Sequence, residues 1–449
     1  QFESGEQSIS FQTSVDFMAF SGIQEGTAAL EDAEIVFVGY GIQAPEYDWN
    51  DYKDYDLKGK VLLILNNDPD WDEQLFAGNT RLYYGRYRYK YETAAANGAA
   101  GAIIMHTRAS AGYPWQVVQT SWAGEQFELP AGDEARLKVR AWLTETATRT
   151  LVEFAGQDLD ALLTAARSRD FEPVSLGITT SIVMPVAQRR VETANVLGLL
   201  PGSDPLLADE AVVYSAHHDH LGIGKADPQG DVIYNGARDN GTGVAQLLEI
   251  GKAMAALPER PRRSILLAFV GAEEQGLLGS QYYAQNPTFA PGKIAVNINV
   301  DGGNIWGKTS DITFVGFGKS SADQVVTDAA AHQGRVVKPD QYPDRGFFYR
   351  SDQFNFAKIG VPAIYLKPGV DFLEDFGDAE VTPVEHYENV QYHQPSDEIS
   401  DAWDFGGLVD DTLVGFWAGL QIANANDKPA WYPGDEFEAA RLESLRELR

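Results

Sequence analysis

The stretch AVVYSAHHDH, residues 211–220, places a short apolar run directly before three histidines and an aspartate. The run AVVYSA predicts a buried strand, because it is apolar, partly β-branched and bounded by polar residues. Similar runs recur downstream: SILLAFVGA (264–272), KIAVNINV (293–300) and VPAIYL (361–366). Helical patterns such as VAQLLEIGKAM (244–254) lie between them. This alternation predicts an α/β fold, with a mixed, mostly parallel central sheet that is covered by helices on both faces.

Reactive side chains stand immediately after three of these predicted strands: His217, Asp219, Glu273, Glu274 and Asp301. In open sheets of this type, ligands bind beyond the carboxyl ends of the strands, so we expect these side chains to meet at one edge. Two more candidates lie in loop-like stretches, Asp239 in NGARDNGTG (235–243) and His393 in QYHQPSD (391–397). A single strand-end carboxylate is more often a helix cap or a solvated loop residue, so it is the joint pattern that indicates a site.

These residue types fit a site for two zinc ions. Zinc binds imidazole and carboxylate groups, and a chain without cysteine has no thiolate alternative. Two zinc ions about 3.5–4 Å apart need a bridging anionic group, and we assign that role to Asp239. His217 and Asp301 then complete one metal position, and Glu274 and His393 complete the other.

The remaining residues of the pattern receive different predictions. Glu273 stands beside a ligand but is itself free, so it is the candidate general base. The Asp219 carboxylate is expected to accept a hydrogen bond from the second ring nitrogen of His217 and fix its tautomer. His218 is expected to point the opposite way, because side chains alternate along a strand. His220 is left out of the ligand set and is expected at most to line the pocket.

Six blocks around these residues resemble the co-catalytic di-zinc aminopeptidase family of the secreted bacterial and vacuolar type, which is related to glutamate carboxypeptidase and glutaminyl cyclase. They occur in the family's order: SAHHDHLG, GARDNGTGVAQLLE, FVGAEEQGLLGS, NVDGG, RSDQFNFAKIGVPAIYL and YHQPSD. The resemblance implies two Zn²⁺ ions per chain on the ligands His217, Asp239, Glu274, Asp301 and His393. It also implies that a di-zinc-bound hydroxide attacks the scissile carbonyl, that Glu273 transfers the proton, and that Tyr392 stabilises the oxyanion.

A second resemblance concerns the N-terminal part of the chain. The pieces VFVGYGI, DLKGKVLLIL and AAANGAAGAIIMH resemble a protease-associated (PA) domain, which implies a smaller, β-rich insert that shapes substrate access. The expected organisation has four parts: a truncated N-terminal segment of the peptidase domain (1–32), the PA insert (33–175), the di-zinc peptidase domain (176–430) and a charged C-terminal helix or tail (431–449). A different peptidase family shares the ligand order but places its extra domain after the Glu-Glu pair, which favours the first family.

The expected function is that of a zinc-dependent aminopeptidase whose substrate is a peptide with a free N-terminus. A carboxypeptidase or dipeptidase of the same family is an alternative, in which Arg345 and Arg350 would bind the substrate carboxylate. Acyl transfer of the glutaminyl cyclase type is a third possibility. A non-catalytic receptor or binding protein is the fourth, but family members of that kind lose ligands and this sequence lacks none.

Composition limits the partners of this 449-residue chain. With 65 acidic and 35 basic residues its formal net charge is −30, which disfavours nucleic acid and anionic membrane surfaces. The apolar runs are too short to span a bilayer. We expect a secreted or periplasmic bacterial protein, although no signal peptide is visible in the sequence. The preferred N-terminal residue of the substrate and the oligomeric state stay open.

Overall fold

The structure is a computed structural model that describes residues 1–24, 26–122, 124–374, 376 and 381–448. The chain divides into two compact units. The first unit comprises Gln1–Val191 and Tyr342–Gly346, and the second comprises Glu192–Gln341 and Phe347–Arg449.

The first unit is built around a mixed sheet. Its strands are β1 (Phe2–Ser4), β2 (Gln7–Ile9), β3 (Phe17–Ser21), β4 (Thr27–Phe37), β5 (Gln43–Ala44), β6 (Trp49–Asn50), β7 (Val61–Leu65), β8 (Gly101–His106), β9 (Val139–Thr144) and β10 (Val174–Pro185). Its helices are α1 (Tyr87–Ala96), α2 (Arg108–Ala111), α3 (Trp115–Ser121), α4 (Glu145–Phe154) and α5 (Leu159–Ala165). The sheet order is β2-β1-β10-β4-β7-β8-β9-β3, and β4, β7, β8 and β9 run parallel.

Residues 1–32 do not lie where the sequence predicted. They were assigned to the peptidase domain, but Phe2 in β1 pairs with Thr180 in β10, and β3 pairs along β9. The long strand β4 pairs with β10 as far as Pro185, so the first unit extends beyond the predicted boundary at 175. The physical reason is backbone pairing: β10 satisfies the N–H and C=O groups of β1 and β4, which would otherwise form open sheet edges.

The second unit contains the predicted α/β sheet. Its strands are β11 (Val196–Leu200), β12 (Ala211–His217), β13 (Gly222–Ile223), β14 (Ile233–Tyr234), β15 (Ser264–Val270), β16 (Ile294–Val300), β17 (Asp311–Val315), β18 (Val336–Pro339) and β19 (Ala363–Pro368). Its helices are α6 (Gly243–Ala255), α7 (Leu278–Gln285), α8 (Ala322–Ala331), α9 (Gln353–Lys358), α10 (Pro383–His386), α11 (Gly406–Asn424) and α12 (Glu438–Arg446).

The sheet of the second unit is mixed and mostly parallel, which confirms the predicted fold class. Its order is β11-β15-β12-β16-β19-β17-β18. The neighbours from β15 through β12 and β16 to β19 are parallel, as are β17 and β18. Antiparallel pairing occurs between β11 and β15 and between β17 and β19.

Both faces of this sheet are buried, as the near-continuous apolar run of β12 requires. Val212 and Tyr214 of β12 pack in one core cluster with residues of α6, α8 and α11, such as Val414. Val213, which points to the other face, packs in a second cluster with Phe356 of α9 and Tyr283 of α7. The alternation along β12 thus places helices on both sides of the sheet, as predicted.

The C-terminal stretch, predicted as a charged helix or tail over 431–449, forms the docked helix α12 within the second unit. The buried Arg441 guanidinium donates hydrogen bonds from Nη1 to the carbonyl oxygens of Pro291 (3.0 Å) and Ile294 (3.1 Å). Arg441 therefore anchors this charged helix to the rest of the second unit. Across the described ranges, no helix combines the length and apolar character needed to cross a membrane.

Candidate metal centre and active site

The predicted ligands meet at the carboxyl end of the second unit's sheet. His217 is the last residue of β12 and pairs with Val270, the last residue of β15. The Glu273–Glu274 pair therefore begins just beyond the neighbouring strand end. Asp301 follows β16, which lies on the other side of β12. Three adjacent parallel strands thus bring their C-terminal residues to one place, as expected for open α/β sheets.

Asp239 lies between two histidines. Its Oδ1 is 3.2 Å from Nε2 of His217, and its Oδ2 is 3.3 Å from Nε2 of His393. His217 Nε2 also lies 3.5 Å from Asp301 Oδ1, and His393 Nε2 lies 3.2 Å from Glu274 Oε2. We call the group His217–Asp239–Asp301 the first metal position and the group His393–Asp239–Glu274 the second metal position.

The spacing of these atoms fits zinc. Zinc holds nitrogen and oxygen ligands at about 2.0–2.2 Å in a tetrahedral arrangement, so two ligand atoms on one ion lie about 3.3–3.6 Å apart. The four N···O separations above run from 3.2 to 3.5 Å. Within the described chain, the buried Nε2 atoms of His217 and His393 have no hydrogen-bond partner. Buried polar atoms are normally paired, so these two nitrogens are available to an ion.

The charges of the centre also favour a cation. Burial raises the pKa of Glu273 well above its usual range, and the negative charges of Asp301 and Glu274 raise it further. Burial lowers the pKa of His393, but Asp239 and Glu274 outweigh it and raise the value to about 10. Acidic side chains thus repel one another and attract positive charge. A bound divalent cation would relieve that repulsion and displace the imidazole proton.

The hydrogen bonds of His217 fix its tautomer through a different atom from the one predicted. Its Nδ1–H donates to the backbone carbonyl oxygen of Asp219 at 3.1 Å, whereas the Asp219 carboxylate lies 3.8 Å away. A carbonyl oxygen can only accept, so Nδ1 carries the proton and the Nε2 lone pair faces Asp239 and Asp301. The carboxylate of Asp219 instead accepts the backbone N–H of Glu273 at 3.1 Å. The carbonyl oxygen of Asp219 can accept this hydrogen bond because Asp219 lies two residues beyond His217, where the strand ends.

The loop that carries Asp239 is held by two polar side chains that the sequence reasoning missed. The buried Asp397 accepts the backbone N–H groups of Arg238 (Oδ1, 3.0 Å) and Asp239 (Oδ2, 3.1 Å). The Asn240 side chain donates to the carbonyl of Val300 at 2.9 Å and accepts from Gly302 N–H at 3.0 Å. Both residues lie in blocks that resemble the family, YHQPSD and GARDNGTGVAQLLE. That resemblance is the sequence signal that could have identified them.

His393 reaches the centre through an unusual backbone conformation. Its φ is +58°, in the left-handed region that few residues other than glycine adopt. The Tyr392 ring stacks on the His393 imidazole, with centroids 3.9 Å apart and planes at 28°. Tyr392 is 44% exposed, so its ring lies partly in solvent beside His393.

The two other histidines of the opening stretch behave differently. His218 is exposed and its Nε2 lies 3.0 Å from the carbonyl oxygen of Ala194, so it points away from the centre as predicted. His220, which the sequence left unassigned, lies inside the cluster with Nδ1 2.8 Å from Glu274 Oε1. The buried Asp352, another unpredicted member, adds negative charge beside Glu273, and burial raises its pKa to about 7.

Arg345 and Arg350 are separated by the division into units. Arg345 belongs to the first unit, where its guanidinium lies 4.0 Å from the centroid of the Tyr342 ring. Arg350 belongs to the second unit and lies over Phe347 at 5.2 Å. Arg350 therefore lies in the unit that carries the metal positions, and Arg345 does not.

Part of the chain is similar in sequence to known peptidases. Residues 195–409 match the sequence profile of Peptidase family M28. Leupeptin-inactivating enzyme 1 of Streptomyces exfoliatus is 27% identical over 187 residues, which cover 41% of this chain and 38% of that protein. Aminopeptidase NAALADL1 of Mus musculus is 34% identical over 122 residues, which cover 26% of this chain and 14% of that protein. The chain thus spans less than two thirds of the length of these relatives.

Solved structures are also similar. An aminopeptidase from Aneurinibacillus sp. strain AM-1 aligns with a TM-score of 0.46 at 17% identity, over 95% of this chain and 83% of that one. A zinc aminopeptidase from Bacillus subtilis aligns with a TM-score of 0.40 at 18% identity, over 93% of this chain and 79% of that one. The match to peptidase family M28 covers a little under half of the chain, and this segment contains every residue of the candidate metal centre.

Proposed function

We propose that the protein is a zinc-dependent aminopeptidase that removes N-terminal residues from peptides. One observation carries the proposal: the two oxygens of the buried Asp239 face two histidines, each of which has a further carboxylate partner. This arrangement suits two ions that share one bridging carboxylate. The match to peptidase family M28 supports the same reaction class.

The protein side chains have distinct roles in this proposal. Bound zinc would polarise the scissile carbonyl and make water more acidic. Glu273, held through its backbone N–H by Asp219, would take a proton from water and transfer it to the leaving amine. Tyr392, whose ring stacks on His393, would donate a hydrogen bond to the developing oxyanion. The surplus of carboxylates in the cluster would attract the α-ammonium group of a peptide with a free N-terminus.

The direct test is a pair of measurements on Glu273→Gln. The variant keeps the size of the side chain but removes the base, so kcat on aminoacyl-4-nitroanilides should fall by about 10²–10⁴-fold. Zinc content, measured by elemental analysis, should stay at the wild-type level, because Glu273 is not assigned as a ligand. Glu249→Gln is the matched control, since Glu249 is 63% exposed on α6 and should leave both quantities unchanged.

Two outcomes would contradict the proposal. Full activity of Glu273→Gln with zinc retained would exclude the assigned base. Cleavage only of substrates with a blocked N-terminus would exclude an aminopeptidase, whatever the metal content. The substrate panel should therefore pair each anilide with its N-acetylated form.

A dipeptidase or carboxypeptidase is the second candidate, because cations lie in the same unit. Lys367 Nζ is 4.3 Å and Arg350 is 5.2 Å from the centroid of the Phe347 ring, so two cations flank one aromatic side chain. Burial lowers the pKa of Lys367, while the charge of Asp301 raises it. A substrate carboxylate would suit this pair. Under this candidate, Lys367→Gln would raise KM for dipeptides with a free C-terminus but not for their C-terminal amides.

The role of the first unit and the location of the protein are further proposals. We propose that residues 33–175 form a protease-associated domain that shapes substrate access, on the sequence resemblance given above. We also propose that the protein acts outside the cytoplasm of a bacterium. Replacement of the exposed Glu73 and Gln74 by alanine, followed by assays on dipeptides and longer peptides, tests the first point, since only longer peptides should be affected.

A further inference from the structure

The side chain of His220 is buried in the centre, and among the described residues its ring nitrogens have no hydrogen-bond partner. Its side chain is 6% exposed, and its Nδ1 lies 2.8 Å from Oε1 of Glu274. The imidazole rings of His220 and His393 meet edge to face, with centroids 5.5 Å apart. Glu274 therefore lies between two histidines, with Oε1 near His220 and Oε2 near His393.

The polar atoms of this group lack partners. Across the described residues, neither ring nitrogen of His220 has an acceptable hydrogen bond, and the same holds for Glu274 Oε1 and His393 Nε2. His220 Nδ1 and Glu274 Oε1 are close enough to bond but are not aligned to do so. Atoms that approach one another without bonding are typical of ligands that point at a shared ion.

His220 also satisfies the distance requirement for a ligand. One ligand atom each from His220, Asp239 and Glu274 lies within 4.8 Å of the others. His217, Asp239 and Asp301 form a separate group by the same measure. The group of His220 contains Glu274 and contains neither His217 nor Asp301, so His220 belongs with the second metal position.

We propose that His220 is a further ligand of the second metal position, through the Nδ1 atom that faces Glu274. This inference rests on the proposed function, because it needs the centre to bind zinc. The second position then has four protein ligands: Asp239, Glu274, His393 and His220. The first position has three protein ligands in Asp239, His217 and Asp301. Closed four-ligand zinc sites are typically structural, whereas catalytic sites keep an open place, so the two positions should differ in affinity.

The first test is a zinc titration of metal-free protein against a chromophoric chelator. Wild type should bind two ions, one more tightly than the other. His220→Ala should weaken the tighter site by about 10–100-fold or more, as the loss of a group at a metal site does. His218→Ala is the matched control, because His218 is exposed and faces Ala194, and it should titrate like wild type. In His220→Gly, added imidazole should restore the lost affinity, which a purely structural role of His220 would not predict.

The outcomes separate this inference from the proposed function. If His220→Ala binds both ions as tightly as wild type, the inference is wrong and the proposed function stands. If wild type binds no zinc, the proposed function fails and the inference fails with it. Thermal melts of the metal-free proteins show whether the variant is folded.

A measurement on wild type covers the case in which the variants do not fold. The chain has seven histidines, so ¹⁵N spectra of histidine-labelled protein can be followed as zinc is added. Three imidazoles, those of His217, His220 and His393, should show the nitrogen shifts of metal ligation at saturation. Ligation of only two imidazoles would overturn the assignment.

Discussion

At the scale of single residues, the centre depends on how Asp239 is presented. Both of its carboxylate oxygens face histidines, so its backbone must hold one orientation. Asp397 provides that constraint by accepting the N–H groups of Arg238 and Asp239, and it also accepts the hydroxyl of Tyr387 at 3.1 Å. A buried carboxylate that accepts three hydrogen bonds is a strong anchor, because bonds to a charged acceptor are stronger than neutral ones.

Replacement of Asp397 by Asn should therefore weaken the metal centre without removing a ligand. The N–H of Arg238 lies 3.0 Å from Oδ1 and 3.2 Å from Oδ2 of Asp397. In an amide one of these atoms becomes an NH₂ donor that faces this N–H, and the remaining oxygen loses its charge, so the hydrogen bonds to the loop weaken. We expect zinc affinity to fall by about 10-fold or more, measured by chelator competition. Asp401→Asn, an exposed control in the same region, should bind zinc like wild type. Unchanged affinity in Asp397→Asn would show that the Asp239 loop holds itself in place.

At the scale of elements, α11 packs closely against β12, the strand that ends at His217. The hydroxyl of Tyr214 in β12 donates to the carbonyl oxygen of Gly415 in α11 at 2.9 Å. One turn further along, Gly419 lies against the same tyrosine. A Cβ atom at Gly419 would lie 1.7 Å from the Tyr214 hydroxyl oxygen, so no larger residue fits without movement. The helix can approach the strand only because this residue is glycine.

Gly419→Ala should destabilise the second unit, whereas Gly415→Ala should not. At Gly415 the nearest atoms to an added Cβ are 3.7 and 3.9 Å away, which is ordinary contact. Overpacking at Gly419 is expected to cost about 1–3 kcal/mol of unfolding free energy. Gly415→Ala should be neutral or stabilise by up to about 1 kcal/mol, because alanine favours the helix. Denaturant unfolding measures both, and equal stabilities of the two variants would contradict the packing argument.

At the scale of the whole molecule, the dominant property is charge. The formal net charge of −30 means that acidic groups repel one another throughout the folded chain at neutral pH. Ion pairs such as Arg263 with Glu210, at 2.8 Å, compensate only part of that charge. The centre itself is a local instance of the same excess, since Asp239, Glu274 and Asp301 converge there.

Salt should therefore stabilise the zinc-free protein at pH 7. Raising NaCl from 10 to 500 mM shortens the Debye length from about 30 Å to a few ångströms and screens the repulsion. A gain of about 1 kcal/mol raises Tm by about 2–4 °C for units of this size, and calorimetry can resolve that shift. At pH 4.5, the isoelectric point of the sequence, the salt effect should largely disappear. A Tm that is independent of salt at pH 7 would show that repulsion does not limit stability.

The α/β sheet of the second unit and the candidate ligands at its edge could both be predicted from the sequence. Strand and helix patterns are local properties of the sequence. Because ligands in open α/β sheets bind beyond the carboxyl ends of the strands, these patterns also predict where the site lies. For that reason His217, Glu274 and Asp301 lie together as predicted. His393 was identified through the YHQPSD block, far downstream in sequence.

The details that depend on where distant backbone segments meet could be read only from the folded structure. It assigned the proton partner of His217 to the carbonyl of Asp219 and brought Asp397 beneath the Asp239 loop. It also places His220 in the cluster and residues 1–32 in the first unit, where β1 pairs with β10. Periodicity shows which face of a strand is buried, but it contains no information on how a chain turns after the strand ends. Those turns are set by hydrogen bonds between residues that are far apart in sequence.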